Sequence, residues 1–273
     1  MEWDISMEEL VEKQYHILFL CLDTLRYDAA VQAQQENKTP CLNQYGSWMK
    51  CQAPGNFTYP SHQAMFAGFM PLPFEAKSSR ERKRLFFPKN VGLGRKPPQG
   101  AFCFEGPTWV HGLAQKGYDT YCIGGVSFFD KRSPIGAVMP SYFQHSYWNP
   151  SFACPVKENT QHQVELAIRK IKLAPQGKPI MMYININAIH YPNYFYLEGE
   201  KKDGFQTHME ALAYADSKLP PLFQAFQEKG DTFVICTSDH GTCYGEDGCT
   251  SHGINHPAVN TIPYKHFIMP KSK

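Results

Sequence analysis

Asp239 and His240 follow directly on an apolar, β-branched run, Phe233-Val234-Ile235-Cys236, within the stretch Thr232 to Gly241. Such a run reads as a strand buried on both faces. A carboxylate and an imidazole at its end are costly to bury unless a metal or another charge satisfies them; taken alone, the pair also fits a solvated turn. Tyr15–Leu22 is a second apolar run, and it too stops at a carboxylate, Asp23, with Arg26 and Asp28 just beyond. If the two strands are parallel neighbours, Asp23 and Asp239 reach the same rim, where open α/β sheets bind ligands. Pro179–Asn187 is a third buried run, with His190 just past its end, and His252 lies in Thr250–Pro257.

Thr58 adds a hydroxyl. It stands in Pro54-Gly55-Asn56-Phe57-Thr58-Tyr59-Pro60-Ser61-His62, where Pro60 suits the first turn of a helix that runs to about Ala67 and stops at Gly68. Thr58 is then expected just before a helix amino terminus, where free N–H groups and the dipole favour an anion. A plain N-cap is the other reading of that position. Two carboxylates and an imidazole suit a divalent ion such as zinc or manganese, with a position left for an alkoxide. Metal contact would make Thr58 a nucleophile at neutral pH. His190 and His252 would hold a second ion or donate to phosphoryl oxygens, although histidines past strand ends are often satisfied by the backbone.

The elements that must position these residues alternate. A short leading helix or arm over 1–14 precedes the first strand. A helix near 28–36 and a proline-started turn at Thr39-Pro40-Cys41-Leu42 follow, then a short strand around Lys50–Ala53. Val110–Lys116 reads as helix, Tyr121–Gly125 as strand and Asn159–Leu173 as an amphipathic helix. A helix from about His208 carries Asp216 and must break or kink at Pro220-Pro221 before Leu222–Lys229. Thr261–Met269 is the last strand. The alternation predicts an α/β fold with a mainly parallel sheet sandwiched between helices. It reads as a single domain over 1–273, with a loop insertion at 72–107. That insertion is rich in Pro, Lys, Arg and Gly, and either guides an anionic substrate or is simply solvated. The aromatic stretch 126–149 is read as a pocket wall or as packing.

Composition bounds the partners. The net charge of +2 gives no nucleic-acid surface. Aromatics at 14% with 21 prolines suit a core sheet wrapped by ordered loops. No stretch approaches the roughly 18 apolar residues of a membrane span, and Met1-Glu2-Trp3-Asp4 lacks a basic-then-apolar signal pattern. Nine cysteines are an odd count and a poor disulfide framework. Cys243–Cys249 and Cys41–Cys51 are conceivable pairs, but free thiols in a cytoplasmic protein are expected.

In order along nearly the whole chain, these segments resemble the alkaline phosphatase superfamily, which includes sulfatases, nucleotide pyrophosphatases/phosphodiesterases and metal-dependent phosphoglycerate mutases. Leu22–Asp28 resembles its first metal-ligand strand and Thr39-Pro40-Cys41-Leu42 its Thr-Pro-x-Leu turn. Thr58-Tyr59-Pro60-Ser61-His62 with Ala67-Gly68 looks like the nucleophile segment of the nucleotide phosphodiesterases. Ser238-Asp239-His240-Gly241 resembles the paired-ligand motif, His252-Gly253 the late ligand and Ile262-Pro263 the closing strand. More narrowly, Gly55–Tyr59, Asn193–Tyr196 and Asp239–Gly248 look like a bacterial subgroup of small sulfatase-like hydrolases.

Two departures bear on the chemistry the resemblance implies. Sulfatases convert a Cys or Ser in Cys/Ser-x-Pro-x-Arg to formylglycine; Thr58 cannot become that aldehyde and His62 replaces the Arg, which argues against a sulfatase mechanism. Two-metal members place an Asp four residues before the His matched by His190, where this chain has Ile186, with Asn187 beside it. One tight ion is therefore expected, with a second weak or absent, and Asp216, Asn187 and His256 are the substitute ligands to check. The expectation is a zinc- or manganese-dependent phosphoric ester hydrolase, tilted to diesters, that works through phosphothreonine at Thr58 on a small phosphorylated substrate. A headgroup transferase of the same superfamily and a non-catalytic metal- and phosphate-binding module are the alternatives.

Overall fold

The computed structural model describes residues 5–70, 85–86, 102–104 and 106–272; most of the expected insertion at 72–107 lies outside them. The main sheet has seven strands: β1 (His16–Leu22), β2 (Met49–Gln52), β3 (Asp119–Ile123), β4 (His145–Tyr147), β5 (Ile180–Ile186), β6 (Thr232–Thr237) and β7 (Thr261–Met269). Their order is β2-β7-β6-β1-β5-β3-β4. From β6 to β4 every pairing is parallel, whereas β7 runs antiparallel to both β6 and β2. The sheet is thus mainly parallel with a mixed edge, as the strand–helix alternation implies.

Six helices matter for the site: α1 (Tyr27–Gln35), α2 (Thr58–Ala67), α3 (Trp109–Gln115), α4 (Asn159–Leu173), α5 (Phe205–Lys218) and α6 (Pro220–Lys229). The period-two alternation of the strands decides which helix covers which face. Leu18, Leu20, Leu22, Ile184, Ile186 and Val234 point to one face, where they pack with Ala29, Ala33, Val164, Leu212 and Phe226 of α1, α4, α5 and α6. Ile17, Phe19, Cys21, Met181 and Tyr183 point to the other, against Tyr59 and Phe66 of α2 and Val110 and Leu113 of α3. The result is a three-layer α/β/α sandwich.

Register then sets the rim. Cys21 pairs with Thr237 across β1 and β6, and Leu22 with Ile186 across β1 and β5. Asp23 and Asp239 each stand two residues past a paired position, so they arrive level with one another. By alternation, Asp23, Asn185 and Asp239 belong to the α2 face and Ile186 to the other.

Several boundaries differ from the sequence reading. Helix α2 starts at Thr58, with extended Phe57 as its cap, so Thr58 opens the helix instead of preceding it. Gly68 ends α2 in the left-handed region at φ 78°, donating its N–H to Ala64 as a helix stop does. Helix α5 starts at Phe205, three residues earlier than expected, and the double proline ends it and opens α6. Strand β3 begins at Asp119, and β4 was hidden inside the aromatic stretch 126–149. Phe129 and Phe143 from that stretch are core residues, so its density there is packing. Eight cysteines among the described residues are free, and neither Cys41–Cys51 nor Cys243–Cys249 is bonded.

Candidate metal centre and nucleophile

Asp23 and Asp239 are both fully buried, and their environments differ sharply. Asp23 accepts a hydrogen bond from the Asn185 side-chain amide (2.9 Å) and one from the Thr24 hydroxyl (2.7 Å). Asn185 is itself locked, because its Oδ1 accepts from the backbone N–H groups of Gly125 and Val126 at 3.2 and 3.1 Å. Asp239 uses only Oδ1, which accepts from the N–H groups of Thr24 and His240, both at 3.0 Å. Thr24 makes that bond from a left-handed backbone, φ 69°, unusual for a β-branched residue. Asp239 Oδ2 is buried with no hydrogen-bond partner. An orphaned carboxylate oxygen in a dry site is the kind of exception that asks for a ligand.

His240 completes the group. Its Nδ1 donates to the Gly241 carbonyl (2.8 Å), which leaves Nε2 as a free lone pair 3.4 Å from Asp239 Oδ2. The tautomer is therefore the one that suits a metal ligand. Donor atoms of Asp23, Asp239 and His240 all lie within 4.8 Å of one another. Gly241 must be glycine here, since a Cβ would collide with the Ala258 carbonyl. The donor set, two carboxylates and an imidazole converging beside an unpartnered oxygen, fits one divalent cation.

Thr58 meets this group: its Oγ1 is 3.4 Å from His240 Nε2. Ser61, the competing hydroxyl, lies against Gly55, where an added Cβ would sit 2.7 Å from its Oγ. The Gly253 N–H donates to the Asn56 carbonyl (2.6 Å), which ties the His252 loop to the nucleophile segment.

His252 and His190 arrive from the open side. The His252 ring centroid is 4.5 Å from that of His240 and 5.8 Å from that of His190. His190 donates Nδ1–H to the Tyr191 carbonyl (2.7 Å) and stacks on the Tyr191 ring. His252 Nδ1 is buried without a partner. The six residues singled out from sequence are thus gathered at one rim.

The substitute ligands fare differently. Asp216 accepts from the N–H groups of Cys41 and Leu42, both at 2.9 Å, and so pins the Thr-Pro-x-Leu turn. His256 accepts from the Ala258 N–H and faces Asp247 at 3.1 Å, so it caps a short helix. Both are structural, because their lone pairs are already spent on backbone. Asn187 stays open, with Oδ1 buried and unpartnered. Ile186 is enclosed on the opposite face of the sheet.

Electrostatics follow the hydrogen bonds. Burial pushes the Asp239 carboxyl up to about 7, helped by the negative charge of Asp23. Burial also works to raise Asp23, but His190, His240 and the Asn185 amide outweigh it and hold that carboxyl below the usual range. Without an ion the negative charge of the pair therefore favours Asp23 and a proton favours Asp239, and an ion binding there would compete with that proton. Burial lowers His240, and burial with the neighbouring His240 and His190 lowers His252 to about 3.

Sequence reasoning passed over Cys21, Thr24, Tyr183 and Asn185. Asn185 carried a signal: an amide inside an otherwise apolar strand, on the face shared with Asp23. His62 appeared as the last residue of the nucleophile segment and as the replacement for an arginine, with no role of its own; in the structure it is fully buried, 3.6 Å from Asp239.

The Sulfatase family model matches residues 15–265. The chain belongs to the Sulfatase family. No curated protein matches it in sequence. Among solved structures, the soluble domain of lipooligosaccharide phosphoethanolamine transferase A from Neisseria meningitidis superposes with a TM-score of 0.62 at 14% identity, over 93% of this chain and 76% of that one. The C-terminal periplasmic domain of EcEptC from Escherichia coli, in complex with Zn, gives 0.61 at 13% identity over 95% and 73%. An alkaline phosphatase superfamily protein from Vibrio parahaemolyticus gives 0.55 at 20% identity over 94% and 60%. The fold of this family member is alkaline-phosphatase-like. No helix among the described residues is long and apolar enough to cross a membrane.

Proposed function

We propose that the chain is a metal-dependent phosphoric ester hydrolase that works through Thr58, with phosphodiesters preferred. The observation that carries this reading is the placement of the Thr58 hydroxyl 3.4 Å from the free nitrogen of His240, beside the unpartnered oxygen of Asp239. Asp23, Asp239 and His240 would hold one Zn2+, with Mn2+ as the alternative, and Thr58 would face it. When bound, the ion supplies a Lewis acid that favours the threonine alkoxide and offsets charge on the phosphoryl oxygens. Thr58 Oγ1 attacks phosphorus in line, the ester oxygen leaves, and the phosphoryl group rests on Thr58. Water then releases it.

His190 is suited to carry the proton for the leaving group or the incoming water. Its Nδ1–H is committed to the Tyr191 carbonyl, so Nε2 is the nitrogen free to exchange. His252, kept neutral by burial, offers a second acceptor. A small phosphorylated substrate is the expected partner. The eight free cysteines support a reducing, cytoplasmic setting.

A transferase reading, in which an acceptor alcohol replaces water, is favoured by one observation: structural neighbours bear phosphoethanolamine transferase names. The two share the first half-reaction. Rapid quenching with an aryl phosphodiester, followed by peptide mapping, should place phosphate on Thr58; phosphate on Ser61, or on neither, overturns the reading. Turnover in water against turnover with added ethanolamine or glycerol then separates hydrolysis from transfer. A protein that binds Zn2+ and phosphate but never turns over would be a non-catalytic module.

A further inference from the structure

Behind the metal ligands lies a row of buried polar groups that the reaction above does not use. His62 sits on α2 one turn after Thr58, fully buried, among the rings of Phe66, Phe129 and Tyr183. Its Nδ1 is 2.7 Å from the Thr58 carbonyl oxygen and 3.6 Å from Asp239 Oδ2. Its Nε2 is hydrogen-bonded to the Tyr183 hydroxyl. A carbonyl oxygen only accepts, so Nδ1 must carry the hydrogen. In a neutral ring Nε2 is then an acceptor, and the Tyr183 O–H must donate to it. Both donors in the row Tyr183, His62 point the same way, toward Thr58 and the orphaned oxygen of Asp239.

We propose that His62 is a positioning residue, held as its Nδ1–H tautomer by Tyr183, which fixes the Thr58 backbone and the metal-facing oxygen of Asp239 relative to each other. The inference rests on the reading of Asp239 as a ligand and Thr58 as the nucleophile. It assigns a purpose to burying an imidazole and a phenol together in an aromatic core, where each would otherwise be a liability. A partner that orients a ligand from behind is commonly worth about ten- to a hundredfold in metal affinity or activity.

The amide nitrogen of Asn overlies Nδ1 of a histidine and that of Gln overlies Nε2, so the two substitutions separate the contacts. His62→Asn keeps a donor toward Thr58 and Asp239; His62→Gln offers one only toward Tyr183. Zn2+ titration of the metal-free protein should show His62→Asn within about threefold of the parent, and His62→Gln weaker by about tenfold or more. Turnover of an aryl phosphodiester should follow the same order. Equal Zn2+ affinity in the two variants overturns the proposal. The second measurement needs neither metal nor substrate: histidine 15N spectra of the unsubstituted protein, with the His62 signals identified by their loss in His62→Asn. A neutral ring protonated at Nδ1 is expected, with a shifted Nε2 resonance in Tyr183→Phe. A ring protonated at Nε2 or at both nitrogens overturns the proposal even if His62→Gln does not fold. A protein that shows the Nδ1–H tautomer and the Zn2+ ranking but turns over no phosphoester would instead refute the enzymatic reading and leave this one standing.

Discussion

The two halves of the rim are built to different standards. The half formed by β1 and β6 carries Asp23, Asp239 and His240, all fully buried, and each oriented by hydrogen bonds to backbone or to a locked amide. The other half carries His190, just past β5, and His252, from the loop between β6 and β7, both partly exposed, with an apolar Ile186 where a carboxylate would complete a second ion site. Preorganised, dehydrated donors suit a tightly held ion. Imidazoles at the edge of solvent, without a carboxylate, suit proton exchange. The difference teaches that one rim can separate holding charge from moving protons.

The comparison breaks first if the closed half is not the ion site. Asp239→Ala or His240→Ala should cut Zn2+ affinity by at least a hundredfold and abolish turnover, whereas His190→Ala should leave metal content unchanged. Elemental analysis of the purified variants decides it. Thr58→Ala tests the meeting point of the two halves: turnover should fall by about three orders of magnitude, a loss of roughly 4 kcal/mol of transition-state stabilisation. Zn2+ should stay bound and the melting temperature nearly constant. Thr58→Ser should retain measurable activity, and Ser61→Ala should resemble the parent.

A subtler change addresses the open half. The parent should hold one tight Zn2+ per chain. Asn187→Asp puts a carboxylate at the buried, unpartnered position and should raise affinity for a second ion measurably. Ile186→Asp, the change that family patterns invite, aims its charge at the opposite core. It should destabilise the fold by about 3 kcal/mol or more without adding an ion. Denaturant melts beside metal counts separate the two outcomes, and a second tight ion in Ile186→Asp would refute the assignment of faces.

The smallest effect concerns pH. His208, buried behind the closed half, accepts the Arg26 N–H at Nε2 (3.3 Å) and bonds the Tyr244 hydroxyl through Nδ1 (2.8 Å). Burial and the nearby Arg26 lower it to about 3. The folded chain therefore keeps it neutral while the unfolded chain protonates it near 6.5, so its contribution to stability is present above that pH and lost below. The slope is about 1.4 kcal/mol per pH unit for one proton. Asp239, raised to about 7, acts oppositely in the metal-free protein: its stabilising proton is lost as pH rises toward 7. His252, lowered like His208, sides with His208, so acid should destabilise on balance. His208→Gln should flatten the fall in melting temperature between pH 6.5 and 5; an unchanged slope would remove His208 from the account.

Much of this was legible from residue order. Apolar runs ending in Asp23 and Asp239 gave strand ends, and parallel pairing made their meeting at one rim follow from periodicity. Thr58 and Gly68 bounded a helix whose proline was plain, although the helix opens at Thr58 itself because Phe57, not a polar residue, caps it. What stayed hidden depends on tertiary contact. Nothing local to Asp216 says that it caps a turn 174 residues away, and its buried carboxylate looked like a ligand for want of that partner. The strand His145–Tyr147 is short, half-buried and embedded among aromatics, so neither alternation nor length marked it.

The register between β1 and β6 has a consequence for how the molecule comes into being. The Thr24 N–H reaches Asp239 across 215 residues of chain. Strand β1 leaves the ribosome before β6 and waits for it while the chain between them follows. Closure of so long a loop between parallel strands is slow, and the paired carboxylates cannot coexist before it happens. An ion that recognises only the closed pair is therefore a marker that the two strands have joined. It would draw the last step forward by mass action and would slow the first step of unraveling.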